Sequence, residues 1–439
     1  MKPFLIKDKF VPRGKITLAG DKSIAHRALI LSALSCGKTI LKNFPIHNDS
    51  SATLGALNAL GIKILHKGKK ILVFGKGSQG LNKSSKPIFV GDSGTTLRLL
   101  LGVLASQNFE TKVVAGKYLS LRPMARVNVP LRLMGAQITS KIRGNDEYAP
   151  IVISGGNLKG IIYHLPIVSA QVKSAILLAG LFAKKKTHLT EKIITRDHTE
   201  RMLKVFGADI IIKNKSIILN PGKELVSPKE IYIPGDISSA AFFIVLAVII
   251  PRAKVTIKKV SLNPTRSGII HILRRMQARI KITLSKDKKA QSFEPVGDLR
   301  IYASKLKSTV VCPYEIPSLI DELPILMVAA CFAQGQTIIK GVEELRVKET
   351  DRINSMVKNL KSMGADIQVK KINLREDIII KGQGRLYGAN LRSFGDHRTA
   401  MSMVIAALAA EGKSRVDDIN CIRKSFPSFL ATLKSLGKS

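Results

Sequence analysis

A repeat that occurs six times constrains the fold of this 439-residue chain more than any other feature. Each repeat opens with a short polar segment, continues into a helix rich in Ala and Leu, and ends in a second helix that glycine usually closes. The openings begin at Gly20, Gly91, Val168, Gly235, Ile320 and Gly395. They lie roughly 70 to 80 residues apart, which is longer than a solenoid repeat, so each repeat is expected to be a small packed α/β module.

The second helices end in a shared pattern that reads LRLMGAQI, LKVFGADI or LKSMGADI. Only the fourth, LRRMQARI, lacks the closing glycine. Apolar clusters between the helices predict strands at residues 16–18, 39–44, 71–74, 112–114, 151–153, 210–212, 254–257 and 377–380. Because one core rarely grows beyond about 250 to 300 residues, we expect two domains of about three repeats each.

The chain is strongly basic, with 71 Lys and Arg against 31 Asp and Glu and a formal net charge of +40. Such a balance suits a nucleic-acid-binding protein. However, the lysines are spread along the whole chain, Trp is absent and aromatic residues make up only 5%, so few side chains could stack on bases. We expect much of the surplus to be solvated surface and part of it to attract anionic small molecules.

Other classes of protein are disfavoured by what the sequence lacks. The longest apolar run, Ala241 to Pro251, is shorter than the roughly 18 residues that suggest a membrane span. The N-terminus has no apolar signal-peptide core, so a soluble cytoplasmic protein is expected. The four cysteines are scattered without a CxxC motif, which predicts neither a zinc site nor a disulfide framework. The segment FGKGSQG satisfies GxGxxG, but no helical pattern follows it, so no dinucleotide site is predicted.

The polar openings are suited to binding anions. The first helix is expected to begin near Asp21 to Ser23, where a short polar side chain can cap free backbone N–H groups. Glycine at several openings lets an anion approach the backbone, and a helix N-terminus carries partial positive charge. Six such helix starts facing one cleft would form an anion trap.

Charged motifs recur on successive repeats in the order DKSIAHR, GDSGTTLR, LRPM, SAQVKSA, RDHTER, LRVKETDR, GDHR and KSFP. Within LRVKETDR, Lys348, Glu349 and Arg352 fall within about one helical turn, so we expect them to line adjacent parts of one site. Taken alone, this motif could be a solvated helix start with local ion pairs. The ordered set as a whole favours a binding site.

With these motifs the chain resembles the enolpyruvyl transferases over nearly its full length, and among them those that use shikimate 3-phosphate. The resemblance implies an α/β fold of two domains, an inside-out α/β barrel built from six βαβαββ repeats with the active site in the interdomain cleft. It assigns residues 1–20 and 235–439 to one domain and residues 21–234 to the other. It also implies transfer of the enolpyruvyl group of phosphoenolpyruvate to the 5-hydroxyl of shikimate 3-phosphate with release of phosphate, by a monomer that needs no metal or organic cofactor. Neither nucleic acid nor a membrane is an expected partner.

The resemblance also implies the roles of individual residues. The positions that match shikimate 3-phosphate ligands are Lys22, Ser23, Arg27, Ser169, Ala170, Gln171, Arg196, Asp321 and Lys348. The positions that match phosphoenolpyruvate ligands are Lys22, Gly94, Arg122, Gln171, Arg352, Arg398 and Lys424. Asp321 would accept the hydroxyl proton and Glu349 would protonate C3 of phosphoenolpyruvate, with Lys22 sharing the proton transfer with Asp321. Both substrates are polyanions, which independently explains a basic site.

Three further positions carry expectations of their own. Asp92 replaces a frequent Asn and would weaken phosphoenolpyruvate binding if it points inward, unless it caps its helix or pairs with a cation. Gly94 lacks the methyl group of glyphosate-insensitive relatives, so the enzyme is expected to be glyphosate-sensitive. Arg98 is ambiguous and could brace its loop, and His26 is expected to pack or hydrogen-bond locally.

Two alternatives remain open at this point. A sister enzyme of the same fold transfers enolpyruvate to UDP-N-acetylglucosamine, although it usually has Lys-Asn in place of Lys22-Ser23 and a loop cysteine that residues 115–123 lack. The other alternative is a basic nucleic-acid-binding protein that keeps the repeat fold without activity.

Overall fold

The computed structural model describes residues 3–7, 10–68, 70–77, 80–287, 293–373 and 375–437. Within these ranges, two α-helices follow each of the six predicted openings. They are α1 (Lys22–Leu34), α2 (Asn48–Ala59), α3 (Gly94–Leu104), α4 (Ala125–Leu133), α5 (Ala170–Gly180), α6 (His198–Val205), α7 (Ile237–Ile249), α8 (Gly268–Arg275), α9 (Leu323–Cys331), α10 (Arg352–Ser362), α11 (His397–Ala409) and α12 (Phe429–Ser435). The predicted pairing of helices is confirmed.

The strands of the same ranges include all eight predicted ones, several of them longer than expected. They are β1 (Phe4–Ile6), β2 (Arg13–Thr17), β3 (Cys36–Lys42), β4 (Lys63–Lys67), β5 (Lys70–Lys76), β6 (Ile88–Phe89), β7 (Thr111–Val114), β8 (Gln137–Arg143), β9 (Asp146–Ser154), β10 (Ile162–His164), β11 (Thr187–Thr190), β12 (Asp209–Lys213), β13 (Ser216–Asn220), β14 (Glu230–Tyr232), β15 (Lys254–Ser261), β16 (Arg279–Leu284), β17 (Val296–Tyr302), β18 (Val310–Val311), β19 (Gly335–Ile339), β20 (Asp366–Ile372), β21 (Arg375–Gly382), β22 (Asn390–Leu391) and β23 (Ser414–Val416).

The chain divides into two compact units. We call one the terminal unit, which comprises Met1–Leu18, Gly235–Lys286 and Pro295–Ser439. The other, the central unit, comprises Ala19–Pro234 and Asp287–Glu294. Glu294 belongs to the central unit because its Oε1 atom lies 2.6 Å from Nδ1 of His198. The chain therefore visits the central unit a second time, in addition to the predicted long segment.

The described residues of each unit form three sheets, and the repeat order is β-α-β-α-β-β. In the central unit, β6-α3-β7-α4-β8-β9 and β10-α5-β11-α6-β12-β13 each build one four-stranded sheet. The third central sheet takes its edge strand β14 from the end of the segment. In the terminal unit, β2 from the chain's start completes the sheet of β15, β16 and β17. In these two repeats, one strand therefore comes from a distant part of the chain.

The first helix of each repeat is buried within its own unit. In α7, eleven of thirteen residues are buried, and in α1 every residue after Ser23 is buried. Such helices are apolar on all sides, which explains their Ala and Leu content because small and branched side chains let helices pack closely. The strands bury one face against these helices and leave the other exposed. Helices inside and sheets outside agree with the predicted inside-out arrangement within each unit.

Candidate active site

The starts of α1, α3 and α5 come together in the central unit. Asp21 begins α1 as predicted, because its carboxylate accepts from the Ile24 N–H at 2.9 Å. Ser93 and Ser169 cap α3 and α5 in the same way. The three helices pack side by side, so their polar first turns lie at one end of the unit's core. Helix starts gathered in this way provide N–H groups and partial positive charge for anions.

Lys22 is the first residue of α1 and is held by an acid. Its Nζ atom lies 2.9 Å from Oδ2 of Asp49, and both side chains are partly exposed. Asp49 stands in the first turn of α2 and was not singled out in the sequence. The attraction of Lys22 lowers the pKa of Asp49 against the effect of burial. Lys22 is therefore a fixed cation with an exposed edge, as a phosphate-binding group requires.

His26 packs one turn further along α1. It is completely buried, and its Nδ1 atom lies 2.6 Å from Oγ1 of Thr53. Burial lowers the pKa of His26 to about 3, so the ring is neutral at physiological pH. The expected packing role is confirmed, although the hydrogen-bond partner lies on α2 and not nearby in the sequence.

Arg27 connects three helices. Its guanidinium donates to Thr199 Oγ1, to Ser174 Oγ and to the carbonyl of Ser23 at 2.7, 2.7 and 2.9 Å. Burial lowers its pKa to about 10, which still leaves it a cation at neutral pH. These bonds fix Arg27 against the start of α5, where the predicted ligands Ser169 and Ala170 lie.

A buried lysine supports the same end of α5. The Nζ atom of Lys173 lies 2.9 Å from Glu191, 2.7 Å from Glu200 and 3.2 Å from the carbonyl of Thr195. Glu191 also accepts from the Thr195 N–H at 3.1 Å. This network ties α5 to α6 and to the segment that carries Arg196. Sequence reasoning did not identify Lys173, because a single lysine in a helix is usually exposed to solvent.

Gln171 joins the α5 start to the α3 start. Its Oε1 accepts from Arg98 at 2.6 Å, and its Nε2 donates to Thr95 Oγ1 at 2.9 Å. The proposed bracing role of Arg98 agrees with this contact. A Cβ atom placed on Gly94 would lie 3.0 Å from Arg98 and 3.1 Å from Arg122, so both guanidinium groups approach the backbone of α3 here. Gly94 therefore lies beside two cationic side chains at the first turn of α3.

Within the described part of the chain, Asp92 has neither of the two roles considered from the sequence, which were capping its helix and pairing with a cation. It neither caps α3, which Ser93 does, nor forms an ion pair among the described residues. Its Oδ1 atom accepts from the backbone N–H groups of Tyr118 and Leu119 at 2.9 and 3.0 Å. The carboxylate thereby shapes the short 3-10 turn that leads to Arg122. An asparagine oxygen could accept the same two hydrogen bonds.

A second cluster lies in the terminal unit at the starts of α7, α9 and α11. Asp321 has carboxylate oxygens 3.6 Å from Arg352, 3.7 Å from Arg266 and 3.9 Å from Arg398. Its backbone carbonyl also accepts from Arg398 at 2.9 Å. Asp321 is a partly exposed carboxylate among three arginines, which is an arrangement that can bind an anion and exchange a proton beside it.

Arg352 is enclosed by carboxylates. It is 1% exposed, and it donates to Asp396 at 2.9 Å and to Glu349 at short distance. Burial alone would lower its pKa, but Asp396, Glu349 and Asp321 together raise it above its usual range. Glu349 and Arg352 are adjacent as expected, but the expectation that they share a helical turn with Lys348 is wrong. Asp351 caps α10 and Arg352 is its first residue, whereas the other two precede the helix in extended or irregular backbone.

Two buried residues of this cluster, Glu322 and Arg266, were not identified from the sequence. Glu322 is fully buried and accepts from Arg266 at 2.5 Å and from Ser238 at short distance. It therefore balances the charge of the arginines that surround Asp321. The signal lay in the pair Asp321-Glu322 at the start of an apolar helix, since a second carboxylate there needs a buried cation.

The remaining predicted ligands are distributed between the two units. Arg122 and Arg196 belong to the central unit, and Lys348 and Lys424 to the terminal unit. Lys348 lies 3.4 Å from Glu344. Among the described residues, no group of three or more His, Cys, Asp and Glu side chains is arranged to hold a metal ion. No helix in the same ranges has the length and apolar character of a membrane span.

The chain matches the profile of one protein family, EPSP synthase (3-phosphoshikimate 1-carboxyvinyltransferase), over residues 11–433. A curated 3-phosphoshikimate 1-carboxyvinyltransferase of Desulforamulus reducens is 44% identical over 425 residues, which span 97% of each chain. Another, from Geobacter sulfurreducens, is 45% identical over 421 residues, or 96% of each chain. The solved EPSP synthase from Acinetobacter baumannii is 40% identical with a TM-score of 0.87, covering 100% of this chain and 98% of that one. The enolpyruvyl transferase NikO from Streptomyces tendae shares the fold, with a TM-score of 0.79 at 16% identity over 99% of this chain and 98% of its own.

Proposed function

Because this chain belongs to the EPSP synthase family and so transfers the enolpyruvyl group of phosphoenolpyruvate to shikimate 3-phosphate, we propose that the two helix-start clusters supply the groups that bind and activate these substrates. Family membership confirms the resemblance drawn from the sequence. The chain is an enzyme of the shikimate pathway, and its acceptor is shikimate 3-phosphate instead of the alternative UDP-N-acetylglucosamine.

We assign to the central cluster the binding of the phosphate groups of both substrates. Lys22, Arg27 and Arg196, with the α5 start at Ser169, Ala170 and Gln171, offer cations and N–H donors for shikimate 3-phosphate. Arg27 is fixed by three hydrogen bonds, so little side-chain entropy is lost on binding. Gly94 and Arg122 are assigned to phosphoenolpyruvate, because the glycine leaves room for an anion beside the guanidinium.

The terminal cluster is assigned the proton transfers. The observation that carries this assignment is the position of the Asp321 carboxylate within 4 Å of Arg266, Arg352 and Arg398. Asp321 accepts the proton of the 5-hydroxyl as that oxygen attacks C2 of phosphoenolpyruvate. Lys348 adds a cation for shikimate 3-phosphate, and Lys424 adds one for phosphoenolpyruvate.

Glu349 is assigned the proton that reaches C3. In the structure it is held as an acceptor by Arg352. When phosphoenolpyruvate occupies Arg352, this hydrogen bond is exchanged for one to the substrate, which frees Glu349 to carry a proton. Protonation of C3 and addition of the 5-oxygen at C2 give a tetrahedral intermediate. Loss of a C3 proton then expels phosphate and forms the enol ether.

The experiment that tests the assignment is phosphate release from phosphoenolpyruvate, with shikimate 3-phosphate or UDP-N-acetylglucosamine as the acceptor. Release with shikimate 3-phosphate alone is the expected result. Release with the sugar nucleotide alone, or with neither acceptor, contradicts the proposal.

We further propose that the enzyme acts as a cytoplasmic monomer without a metal or organic cofactor. The reactive enol arrives already activated as the phosphate ester in phosphoenolpyruvate, so the chemistry needs no added electrophile. Light scattering after size-exclusion chromatography tests the oligomeric state, and activity after dialysis against EDTA tests the metal requirement. A stable dimer, or activity that returns only with added metal, would contradict it.

A further inference from the structure

One sheet of the terminal unit presents a strongly basic outer surface. Because side chains alternate across a strand, β16, β17, β15 and β2 place one set of residues in the core and the other outward. The core set includes Ile280, Ile301, Val255 and Ile16, all of them buried. We call the outward set the basic face, and it consists of Arg279, Lys281, Thr283, Asp298, Arg300, Tyr302, Lys254, Thr256, Lys258, Arg13, Lys15 and Thr17.

Cations stand directly opposite one another on the basic face. The register pairs Lys281 with Arg300 across β16 and β17, and Lys254 with Arg13 across β15 and β2. Like charges at directly opposed positions destabilise a sheet. These positions therefore reduce stability, and the packing of the core does not require them because their side chains point to solvent.

A second sheet of the terminal unit shows that the fold does not impose this pattern. In the β20–β21 ladder of the same unit, Lys370 faces Asp377 and Asp366 faces Lys381, so opposite charges are paired. In the central unit Lys42 stands opposite Lys70, but there Glu230 binds Lys42 at 2.6 Å. Lys70 also lies opposite Lys67, so that central sheet has two like-charged pairs as well, but an acid binds one of its lysines.

Little on the basic face neutralises these charges. Asp298, its one acidic residue, is engaged by Lys258 at 2.5 Å. In the part of the chain that the structure describes, four cations at this surface form no ion pair: Lys15, Arg252, Lys254 and Lys281. Arg300 is attracted by Asp298. At the β2 edge a cavity of about 400 Å³ is lined by Arg13, Gly14, Lys15, Arg252, Lys254 and Thr256. Anionic groups of a ligand could enter this cavity.

We propose that the basic face binds the phosphate backbone of nucleic acid without regard to base sequence. The unpaired cations complement a chain of phosphates, and the release of counterions from that chain drives binding. Its one aromatic residue, Tyr302, is covered by the guanidinium of Arg279 at 5.3 Å, so bases gain no stacking platform. Membrane-surface elements insert apolar side chains into the bilayer, and between its charges this face presents only Thr and Tyr. The proposal does not depend on the catalytic assignment.

The test is binding of a fluorescent single-stranded oligothymidine, measured by anisotropy between about 50 and 200 mM salt. The triple variant Lys15→Gln/Lys254→Gln/Lys281→Gln removes three cations of the basic face that have no acidic partner among the described residues. The matched control Lys184→Gln/Lys185→Gln/Lys186→Gln removes three exposed cations from a turn of the central unit. We expect the slope of log K against log salt to fall by about 2 in the triple variant, since each lost phosphate contact contributes about 0.7. The control is expected to keep the wild-type slope.

Several results would overturn the proposal. Equal loss in the two variants would mean that net charge alone causes binding. Absence of oligonucleotide binding by the wild type, or binding only to vesicles of anionic lipid, would exclude nucleic acid as the partner. Thermal unfolding provides an independent check, because relief of like-charge repulsion should leave the triple variant at least as stable as the wild type. A lower melting temperature would contradict the argument from register, whereas phosphate release should be unchanged.

Discussion

The ammonium group of Lys173 lies 2.9 Å from the carboxylate of Glu191, and both side chains are almost completely excluded from solvent. Glu191 also holds the backbone of Thr195, which precedes Arg196. Lys173 therefore positions two groups assigned to shikimate 3-phosphate, the α5 start and Arg196, without being placed to touch the substrate itself.

The first prediction concerns Lys173→Met. Removing one partner of a buried ion pair costs about 3 to 5 kcal/mol of stability because the carboxylates stay buried without a cation. A misplacement of about 1 Å in a binding group can cost up to about 100-fold in rate. We therefore expect KM for shikimate 3-phosphate to rise at least about tenfold, and KM for phosphoenolpyruvate to change much less.

The control is Arg132→Met, which breaks the pair of Arg132 and Glu147 at 2.6 Å in the same unit. It should lower stability without separating the two KM values. If Lys173→Met changes both KM values equally, or neither, Lys173 contributes only to stability. Adding Glu200→Gln to the variant should recover stability but not KM.

The second prediction concerns the methyl group that Gly94 lacks. In Gly94→Ala the new Cβ atom would lie 3.0 Å from Arg98 and 3.1 Å from Arg122, which is too close unless both guanidinium groups shift. We expect KM for phosphoenolpyruvate to rise about tenfold or more, and inhibition by glyphosate to weaken in parallel.

Gly55→Ala is a suitable control, because its Cβ atom would meet nothing within 4 Å and the helix would gain up to about 1 kcal/mol. An unchanged KM for phosphoenolpyruvate in Gly94→Ala would remove this residue from the proposed site. Wild-type activity that persists at millimolar glyphosate would contradict the expected sensitivity.

The third prediction concerns Asp92→Asn. Because Asp92 accepts two backbone hydrogen bonds and asparagine can accept both, KM for phosphoenolpyruvate should stay within about twofold of the wild type. In Asp92→Ala the turn before Arg122 loses both acceptors, so KM should rise. Steady-state kinetics of the two variants distinguish this role from the charge repulsion considered at first, which predicts improved binding in both.

The fourth prediction concerns His26 and acid stability. Its pKa is lowered to about 3 by burial, against a usual value of 6.5. Below pH 6.5 the unfolded chain binds a proton that the folded chain does not, so this residue reduces stability as pH falls from 6.5 towards 3. Stability of His26→Asn should therefore fall less between pH 7 and 4.5, by up to about 1.4 kcal/mol per pH unit.

Urea unfolding at the two pH values measures this difference. His66→Asn, at an exposed position of β4, serves as the control and should follow the wild type. An identical pH dependence in His26→Asn and the wild type would mean that the pKa of His26 is the same in the folded and the unfolded chain, which contradicts the effect of burial.

Much of the fold could be predicted from the sequence because each repeat begins and ends with a recognisable sequence pattern. The starts at Asp21, Ser93 and Ser169 were recognisable from a short polar residue before an apolar helix, and the second helices from their closing glycine. The edge strands β2 and β14 could not be assigned to a sheet, since each completes a repeat to which it is not contiguous. Pattern along a chain shows the elements, but only packing shows which strands meet.

The sequence could suggest candidate site residues where a charged residue stands at a helix start, as for Lys22 and Arg398. Residues on other helices that contact these candidate site residues could not be predicted. Asp49, Arg266 and Glu322 are separated from their partners by 27, 56 and 84 residues along the chain. Their roles follow from charge balance in a buried cluster, which requires knowledge of which helix starts lie together.

The last prediction concerns Asp321, the proposed proton acceptor. Asp321→Asn retains the shape of the side chain and the backbone carbonyl that accepts from Arg398, so substrate binding should survive. Loss of the base should lower kcat by about 100- to 10,000-fold. Asp366→Asn, on β20 of the same unit, is the control for loss of a carboxylate. A kcat within tenfold of the wild type would assign the proton transfer to Lys22 instead. If buried Glu322 balances the charge of the arginines, it should hold Arg266 in place without Asp321. Asp321→Asn should therefore fold, and a failure to fold would contradict this role of Glu322.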